Sequence, residues 1–175
     1  MYQDGWRFKN ARLHSHFVRE TDFGRELARG RWRKKELETL RQLWWAGADV
    51  PFPVSFEGGL LMEYIGSLDR AANRLIDVQL TAGAAAAVYD TVISNVGLFL
   101  DNHVVHADLS AYDVLVLDEG VCIIDFPQAI DLAENPYWEE LLVRDLENVN
   151  RYFHRYGMCR DVCDLLAELK AGACL

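Results

Sequence analysis

The sequence is short of positive charge, of long apolar runs and of paired cysteines, and each shortage excludes a class of protein. Its 18 lysines and arginines against 27 aspartates and glutamates give a net charge of −9, which argues against a protein that coats nucleic acid. No uninterrupted apolar run reaches the roughly 18 residues of a membrane span, and residues 1–9 do not resemble a signal peptide. The four cysteines show no disulfide framework, so we expect reduced thiols in a cytoplasmic protein.

The length and composition suit one domain with a substantial apolar core, because 51% of the 175 residues are hydrophobic. Apolar residues recur at helical spacing in four segments, and turn residues separate two pairs of short apolar runs. The predicted helices cover residues 32–45, 81–102, a segment that starts at Asn135-Pro136, and 161–170. The predicted hairpins cover residues 54–65 and 114–124.

The second hairpin organises the chain. Val114–Leu117 and Val121–Ile124 are apolar runs on either side of Asp118-Glu119-Gly120, which predicts a three-residue turn with Gly120 in a left-handed conformation. A register centred on Glu119 places Asp113 opposite Asp125, with their Cα atoms about 5 Å apart.

Acidic side chains therefore gather at the base of this hairpin, where Asp108 joins Asp113 and Asp125 from the preceding loop. Neighbouring carboxylates repel each other unless a positive charge holds them. Mg²⁺ takes oxygen ligands of this kind, usually with phosphate completing its shell. Solvated acidic ends of an ordinary hairpin are the alternative, because Asp is common at turns.

The whole string resembles the catalytic and metal loops of protein kinases, in which His-x-Asp, four residues and a metal ligand precede a hairpin and a second Asp. HADLSAYDVLV followed by IIDFPQAID is similar to the RIO family of atypical serine/threonine kinases, in which HADLSxYN and IID-x-x-Q are characteristic. The resemblance is closest to bacterial RIO-like proteins. It extends over residues 23–157 through GADVPFP, LLMEYIG and RDLENVNRYFHRYG.

The resemblance implies an α+β, protein-kinase-like fold. Residues 1–65 would form a partial N-lobe with an αC-like helix, a short hairpin and the hinge. Residues 66–175 would form a largely helical C-lobe that carries the catalytic and metal loops. The two N-lobe strands would have an unpaired edge, which favours self-association.

The same resemblance implies transfer of the γ-phosphate of ATP to an unidentified protein substrate, or ATP hydrolysis. Asp108 would orient or deprotonate the acceptor hydroxyl, while Asp113 and Asp125 would hold Mg²⁺. In the family, the residue that corresponds to Asp125 can also accept phosphate as an aspartyl intermediate. Neither a membrane nor nucleic acid is expected as a partner.

The resemblance also assigns residues to the nucleotide base and the phosphates. Met62 corresponds to the gatekeeper, and the segment from Glu63 to Ile65 corresponds to the hinge, whose backbone groups would bind adenine. Glu36, on the αC-like helix, corresponds to the glutamate that pairs with the phosphate-binding lysine.

Asp145 interrupts the apolar seam of the third predicted helix, between Leu142 and Val149. A carboxylate that faces a core needs hydrogen bonds or a charged partner. Kinases use an aspartate on a comparable helix to hold the backbone of the catalytic loop. We therefore hypothesise that Asp145 holds the loop from His106 to Leu109.

Two departures from the family pattern favour an alternative. The family has Asn where this chain has Asp113, and the Gly-rich phosphate loop and its lysine are missing. No Gly-x-Gly precedes Glu36, and of the four lysines (Lys9, Lys34, Lys35 and Lys170) only Lys9 is a candidate for the phosphate lysine. The sequence is thus interpreted as truncated at its N-terminus. The alternative is a catalytically impaired pseudokinase or interaction module.

A third interpretation is a small-molecule phosphotransferase of the aminoglycoside or choline kinase type. Such proteins share His-x-Asp, four residues, Asn and a later Asp. They usually carry His or Asn shortly after the catalytic Asp, where this chain has Leu109-Ser110-Ala111. The IIDFPQ string also points away from them.

Overall fold

The computed structural model describes residues 35–56 and 59–175, and in this part of the chain four α-helices combine with three small sheets in an α+β architecture. Lys9, Lys34 and the start of the first predicted helix lie outside the described residues. The helices are α1 (35–45), α2 (Ala82–Asp101), α3 (Trp138–Phe153) and α4 (Val162–Gly172). The strands are β1 (Pro53–Phe56), β2 (Leu60–Met62), β3 (Asn73–Arg74), β4 (Val104–Val105), β5 (Val114–Leu117), β6 (Gly120–Ile123) and β7 (Ile130–Asp131).

Each sheet is small and antiparallel. β1 pairs with β2, which confirms the first predicted hairpin. β5 lies between β3 and β6, and β4 pairs with β7. We call residues 106–113, between β4 and β5, the first acidic loop, and residues 124–129, between β6 and β7, the second acidic loop. The β4–β7 pair brings the start of the first acidic loop next to the end of the second.

The second predicted hairpin exists, but its predicted register is wrong by one residue. Leu117 pairs with Gly120, so the turn contains two residues and not three. Gly120 has the predicted positive φ, 111°, but it is already part of the ladder. As a result Asp113 lies opposite Ile124, whose N–H donates to the Asp113 carbonyl at 2.8 Å. Asp125 lies one residue further along, where its φ of 71° turns the chain away from the ladder.

Helix α2 follows its prediction to within one residue at each end. The hydroxyl of Thr81 caps it by accepting a hydrogen bond from the Ala84 N–H at 3.3 Å. Its 20 residues are long and apolar enough to cross a membrane, contrary to the expectation from uninterrupted runs, and half of that window is buried inside the protein. A core helix passes the same test, and α2 packs as one, with nine buried residues.

Helix α3 begins at Trp138 and not at Asn135-Pro136 as predicted. The side-chain oxygen of Asn135 accepts a hydrogen bond from the Tyr137 N–H at 2.9 Å. This contact closes a turn before the first helical residue, which is a common role of Asn before Pro.

In the core, the second acidic loop packs near the C-terminal end of α2, and α3 packs on its N-terminal half. The Phe99 ring on α2 meets the Phe126 ring edge-on, with centroids 5.5 Å apart. Further along α2, the Tyr89 ring lies 5.2 Å from the Phe153 ring on α3, and its hydroxyl donates to Asn150 at 2.8 Å. These contacts fix the two acidic loops and α3 in one frame.

A buried amide fastens the segment after α1 to α2. Asn95 is 2% exposed, accepts a hydrogen bond from the Asp49 N–H at 2.7 Å and donates to the Asp49 carboxylate at 2.8 Å. The Asp49 carbonyl in turn accepts from the Ile123 N–H at 2.7 Å. Asp49 thus connects α1, α2 and the acidic hairpin.

We predict that Asn95→Ala destabilises the protein by about 1–3 kcal/mol, because it leaves the Asp49 N–H without its acceptor. Urea denaturation measures the free energy of unfolding. Ser94→Ala, at an exposed neighbouring position on α2, is the control and should change it by less than about 0.5 kcal/mol. Equal effects of the two substitutions would contradict this account.

Candidate active site

Helix α3 holds the loop between β4 and β5 through four hydrogen bonds. The Asp145 carboxylate accepts from the backbone N–H groups of Ala107 and Leu109 at 2.8 and 2.9 Å. Arg144 donates to the Ala107 carbonyl, and Asn148 donates to the Leu109 carbonyl at 3.2 Å. Ala107 has a φ of 65°, a left-handed conformation that a residue with a side chain adopts only when its surroundings impose it.

The predicted role of Asp145 is confirmed. Its side chain is 1% exposed and points at the loop from His106 to Leu109. Burial raises the pKa of Asp145 to about 7, although the two backbone hydrogen bonds and the Arg144 guanidinium lower it. The loop is therefore held by a carboxylate for which desolvation outweighs its favourable contacts.

His106 connects the first acidic loop to the second. It is buried, and its Nε2 lies 3.1 Å from the Ile124 carbonyl, so this nitrogen carries the proton and donates it. Burial lowers the pKa of His106, which keeps the imidazole neutral at pH 7. Its ring also packs on Phe126, with centroids 4.6 Å apart. His106 thus fixes the backbone next to Asp125.

The three predicted acidic residues act on one another electrostatically. The pKa of Asp113 is raised to about 6, chiefly by burial and also by the charges of Asp125 and Asp108, while a 2.7 Å hydrogen bond from the Ser110 hydroxyl lowers it. The Asp108 side chain is 69% exposed and lies 3.8 Å from Arg144. The structure thus presents an exposed carboxylate beside a half-buried one.

The residues present fit a magnesium ion that shares its shell with phosphate. Within the described residues no three acidic, histidine or cysteine side chains form a ready metal cage. Mg²⁺ is usually held by one or two carboxylates together with substrate phosphates and water. Asp113 and Asp125 could supply such a pair, and the pKa of Asp113 is raised by burial and by the charges of Asp125 and Asp108, which a bound cation would offset.

The predicted hinge residues follow the first hairpin. Met62 ends β2 and is half-buried, while Glu63 is exposed. The Glu63 N–H donates to the Phe52 carbonyl at 2.8 Å, and the Ile65 carbonyl accepts from the Ala72 N–H at 2.9 Å. These contacts extend the hairpin beyond Met62 and hold the segment that follows it.

Glu36, the predicted partner of a phosphate-binding lysine, is half-buried on α1. Its neighbour Lys35 forms an ion pair with Glu134 at 3.9 Å. The candidate lysine, Lys9, lies outside the described residues, so the predicted pairing stays a prediction.

A cavity of about 640 Å³ opens beside Asp108, and the sequence did not predict it. One wall is a face of α3 with the turn before it, and the other wall follows the second acidic loop. Its lining residues are Ala107, Asp108, Gln128, Ile130, Asn135, Pro136, Tyr137, Glu140, Leu141 and Arg144. The roles of Arg144 and Asn148 on the loop were also missed, although their spacing from Glu140 places all three on one side of the helix.

We predict that Asp145→Asn loosens the loop, because an amide offers one acceptor oxygen where the carboxylate offers two. One backbone N–H then loses its partner, which destabilises the protein by about 1–3 kcal/mol. Hydrogen exchange at the Ala107 and Leu109 amides, together with urea denaturation, measures both effects. The control is Glu147→Gln at an exposed position of α3. Unchanged protection of both amides in Asp145→Asn would contradict the assigned role.

Comparison with known proteins places the chain in a family. A sequence model of the RIO domain matches residues 7–165, a longer stretch than the motifs alone indicated. The RIO-type serine/threonine-protein kinase Rio1 of Thermoplasma acidophilum is 37% identical over 131 residues, which are 74% of this chain and 67% of that protein.

Two further relatives are also named as RIO serine/threonine-protein kinases. The RIO-type serine/threonine-protein kinase Rio1 of Haloferax volcanii is 34% identical over 146 residues, 81% of this chain and 48% of that protein. The serine/threonine-protein kinase RIO1 of Homo sapiens is 35% identical over 129 residues, 73% of this chain and 22% of that protein. The chain thus spans about half of the length of the second relative and under a quarter of the third. From the matched domain and these identities we conclude that the chain belongs to the RIO domain family of atypical serine/threonine kinases.

Proposed function

We propose that this chain transfers the γ-phosphate of ATP to a serine or threonine of a protein, or to water, with Asp108 as the general base. The observation that carries the proposal is the position of Asp108. Hydrogen bonds on both of its neighbours, Ala107 and Leu109, hold the backbone rigidly, yet its carboxylate stays exposed next to Asp113 and Asp125.

The proton transfer follows from that position. The acceptor hydroxyl oxygen attacks the γ-phosphorus, the bond from this phosphorus to the β–γ bridging oxygen breaks, and ADP leaves. The hydroxyl proton passes to the Asp108 carboxylate. Arg144, 3.8 Å from Asp108, orients this carboxylate. Asp125 is assigned the second catalytic role of the family, as an acceptor of phosphate.

Asp113 and Asp125 are the residues that would hold the metal. Mg²⁺, when bound, neutralises the phosphate oxygens and so lowers the barrier to transfer. Ser110 holds the Asp113 carboxylate in place through its hydroxyl. His106 supports the second ligand by fixing the Ile124 carbonyl next to it.

The hinge assignment fits the hydrogen bonds of the first hairpin. Those bonds use the N–H of Glu63 and the carbonyl of Ile65. The carbonyl of Glu63 and the N–H of Ile65 are therefore assigned to the adenine, which offers a donor at N6 and an acceptor at N1. Met62 would close the end of the pocket. We accordingly propose that residues 1–65 belong to a partial N-lobe and residues 66–175 to the C-lobe.

A second candidate is a module that binds nucleotide, metal or a partner without catalysis. It is favoured by Asp113, a half-buried acid at the position where the family has Asn. An added negative charge among the other carboxylates strengthens metal binding but can misplace the phosphates.

We predict that the protein binds ATP in a Mg²⁺-dependent manner and releases phosphate, and that Asp108→Ala lowers the release rate by 100-fold or more. Calorimetry measures binding, and a phosphate assay measures turnover. Asp118→Ala, a matched change at the tip of the β5–β6 turn, should leave turnover unchanged. Binding without turnover would support the second candidate. No binding would refute the proposal, and hydrolysis that survives Asp108→Ala would refute the role of Asp108.

Magnesium binding should depend on pH through Asp113. Because the pKa of Asp113 is raised to about 6, its carboxyl is protonated below that pH and cannot bind the metal. Affinity for Mg²⁺-nucleotide should therefore fall by up to about tenfold per pH unit below pH 6 and be constant above it.

Asp113→Asn is the matched control, because it removes this titration and restores the family residue. The ratio of the wild-type and variant dissociation constants between pH 5 and 8 cancels the titration of the nucleotide itself. A ratio that does not change with pH would show that Asp113 is not a metal ligand.

A further inference from the structure

The cavity beside Asp108 is separate from the proposed nucleotide site. Its described lining includes Asp108 and Arg144, but neither the metal ligands Asp113 and Asp125 nor the hinge residues. A group bound there would lie beside the proposed base and apart from the residues assigned to the metal and the adenine. Such a separation is what transfer to an acceptor requires, since the hydroxyl and the leaving group lie on opposite sides of the transferred phosphorus.

The cavity follows one face of α3 and the turn before it. Tyr137, Glu140, Leu141 and Arg144 have the spacing i, i+3, i+4 and i+7, which places them in one row. At 1.5 Å per residue this row is about 10 Å long, with Arg144 at the end next to Asp108. An extended peptide rises about 3.3 Å per residue, so the row accommodates about three residues.

The walls of the cavity change in character along this row. The end furthest from Asp108 is apolar, with Pro136 and Tyr137, and Tyr137 is 62% exposed. Glu140 and Leu141 lie between the two ends, and Glu140 is exposed. At the near end, Arg144 donates to the Ala107 carbonyl and faces the Asp108 carboxylate. A ligand along the row therefore passes Leu141 and the Glu140 carboxylate before it reaches the apolar end.

The exposed rim suits a polypeptide better than an enclosed small molecule. Gln128, Pro136, Tyr137 and Glu140 are all lining residues and all exposed, so the cavity is open along one side. A volume of about 640 Å³ admits one or two side chains while the peptide backbone continues past the rim.

We propose that this cavity binds the acceptor protein in an extended conformation and selects its sequence. An aromatic or aliphatic side chain, two or three residues from the acceptor serine or threonine, packs on Pro136 and Tyr137. A lysine or arginine between them pairs with Glu140, and an acidic residue there is rejected. This inference rests on the proposed function, because it takes Asp108 as the group that receives the hydroxyl proton.

The test is phosphorylation of peptides that have a central serine and randomised flanking positions. The wild-type protein should select an aromatic or aliphatic residue two or three positions to one side, with a basic residue between. Tyr137→Ala should raise KM for a selected peptide about tenfold, whereas Trp45→Ala, an exposed aromatic outside the cavity, should leave KM and kcat unchanged.

The sharper variant is Glu140→Lys, which should reverse the charge preference from basic to acidic peptides. Glu147→Lys makes the same change at an exposed position two turns further along α3 and should leave the preference unchanged. A general loss of stability would lower activity on all peptides and could not reverse a preference, so the reversal reports on the contact itself.

Each negative result has a distinct meaning. Phosphorylation of peptides without regard to their flanks, or an unchanged preference in Glu140→Lys, overturns the acceptor site while the proposed function stands. ATP hydrolysis without transfer to any peptide overturns it in the same way. If calorimetry detects no Mg²⁺-dependent nucleotide binding, the proposed function fails, and the acceptor site fails with it.

Discussion

The structure of the site depends on one carboxylate that is buried under a strained loop. Asp145 accepts hydrogen bonds from the N–H groups of Ala107 and Leu109, and Ala107 is in a left-handed conformation. A left-handed Ala is disfavoured by roughly 1–2 kcal/mol, and each charge-assisted hydrogen bond contributes about 1.5–3 kcal/mol. The pair of bonds therefore outweighs the strain. The residue between the two donors, Asp108, is left with its side chain directed outward.

Helix α3 carries one buried carboxylate, Asp145, and contacts an exposed one, Asp108. Asp145 is buried and accepts two backbone hydrogen bonds, and its pKa of about 7 shows that the effect of burial outweighs that of these bonds. Asp108 is exposed and remains available to a reactant. Arg144, the residue directly before Asp145, donates to the Ala107 carbonyl and faces Asp108. One turn of α3 thus supplies both the support of the loop and the positive charge beside its exposed carboxylate.

Local rules predicted the parts of the fold that local forces determine. The bounds of α2 follow from the Thr81 cap and an apolar face, and Asp145 stood out because an acid in an apolar seam needs donors. The register of the β5–β6 hairpin failed because the spacing of apolar residues is compatible with a two-residue or a three-residue turn. The contact of Arg144 could not be predicted, because it depends on how α3 packs against the loop that contains Ala107.

The surroundings of Asp113 disfavour its charged form. For an exposed aspartate, burial does not disfavour the charged form. For Asp113, burial and the charges of Asp125 and Asp108 both disfavour ionisation, and the hydrogen bond from the Ser110 hydroxyl compensates only in part. A neutral Asn at this position would remove the repulsion and also the electrostatic attraction for a metal. With Asp, the free protein holds a carboxyl that is unfavourable in its charged form. A cation bound at the proposed site would offset that charge, and its binding would then be thermodynamically linked to the stability of this loop.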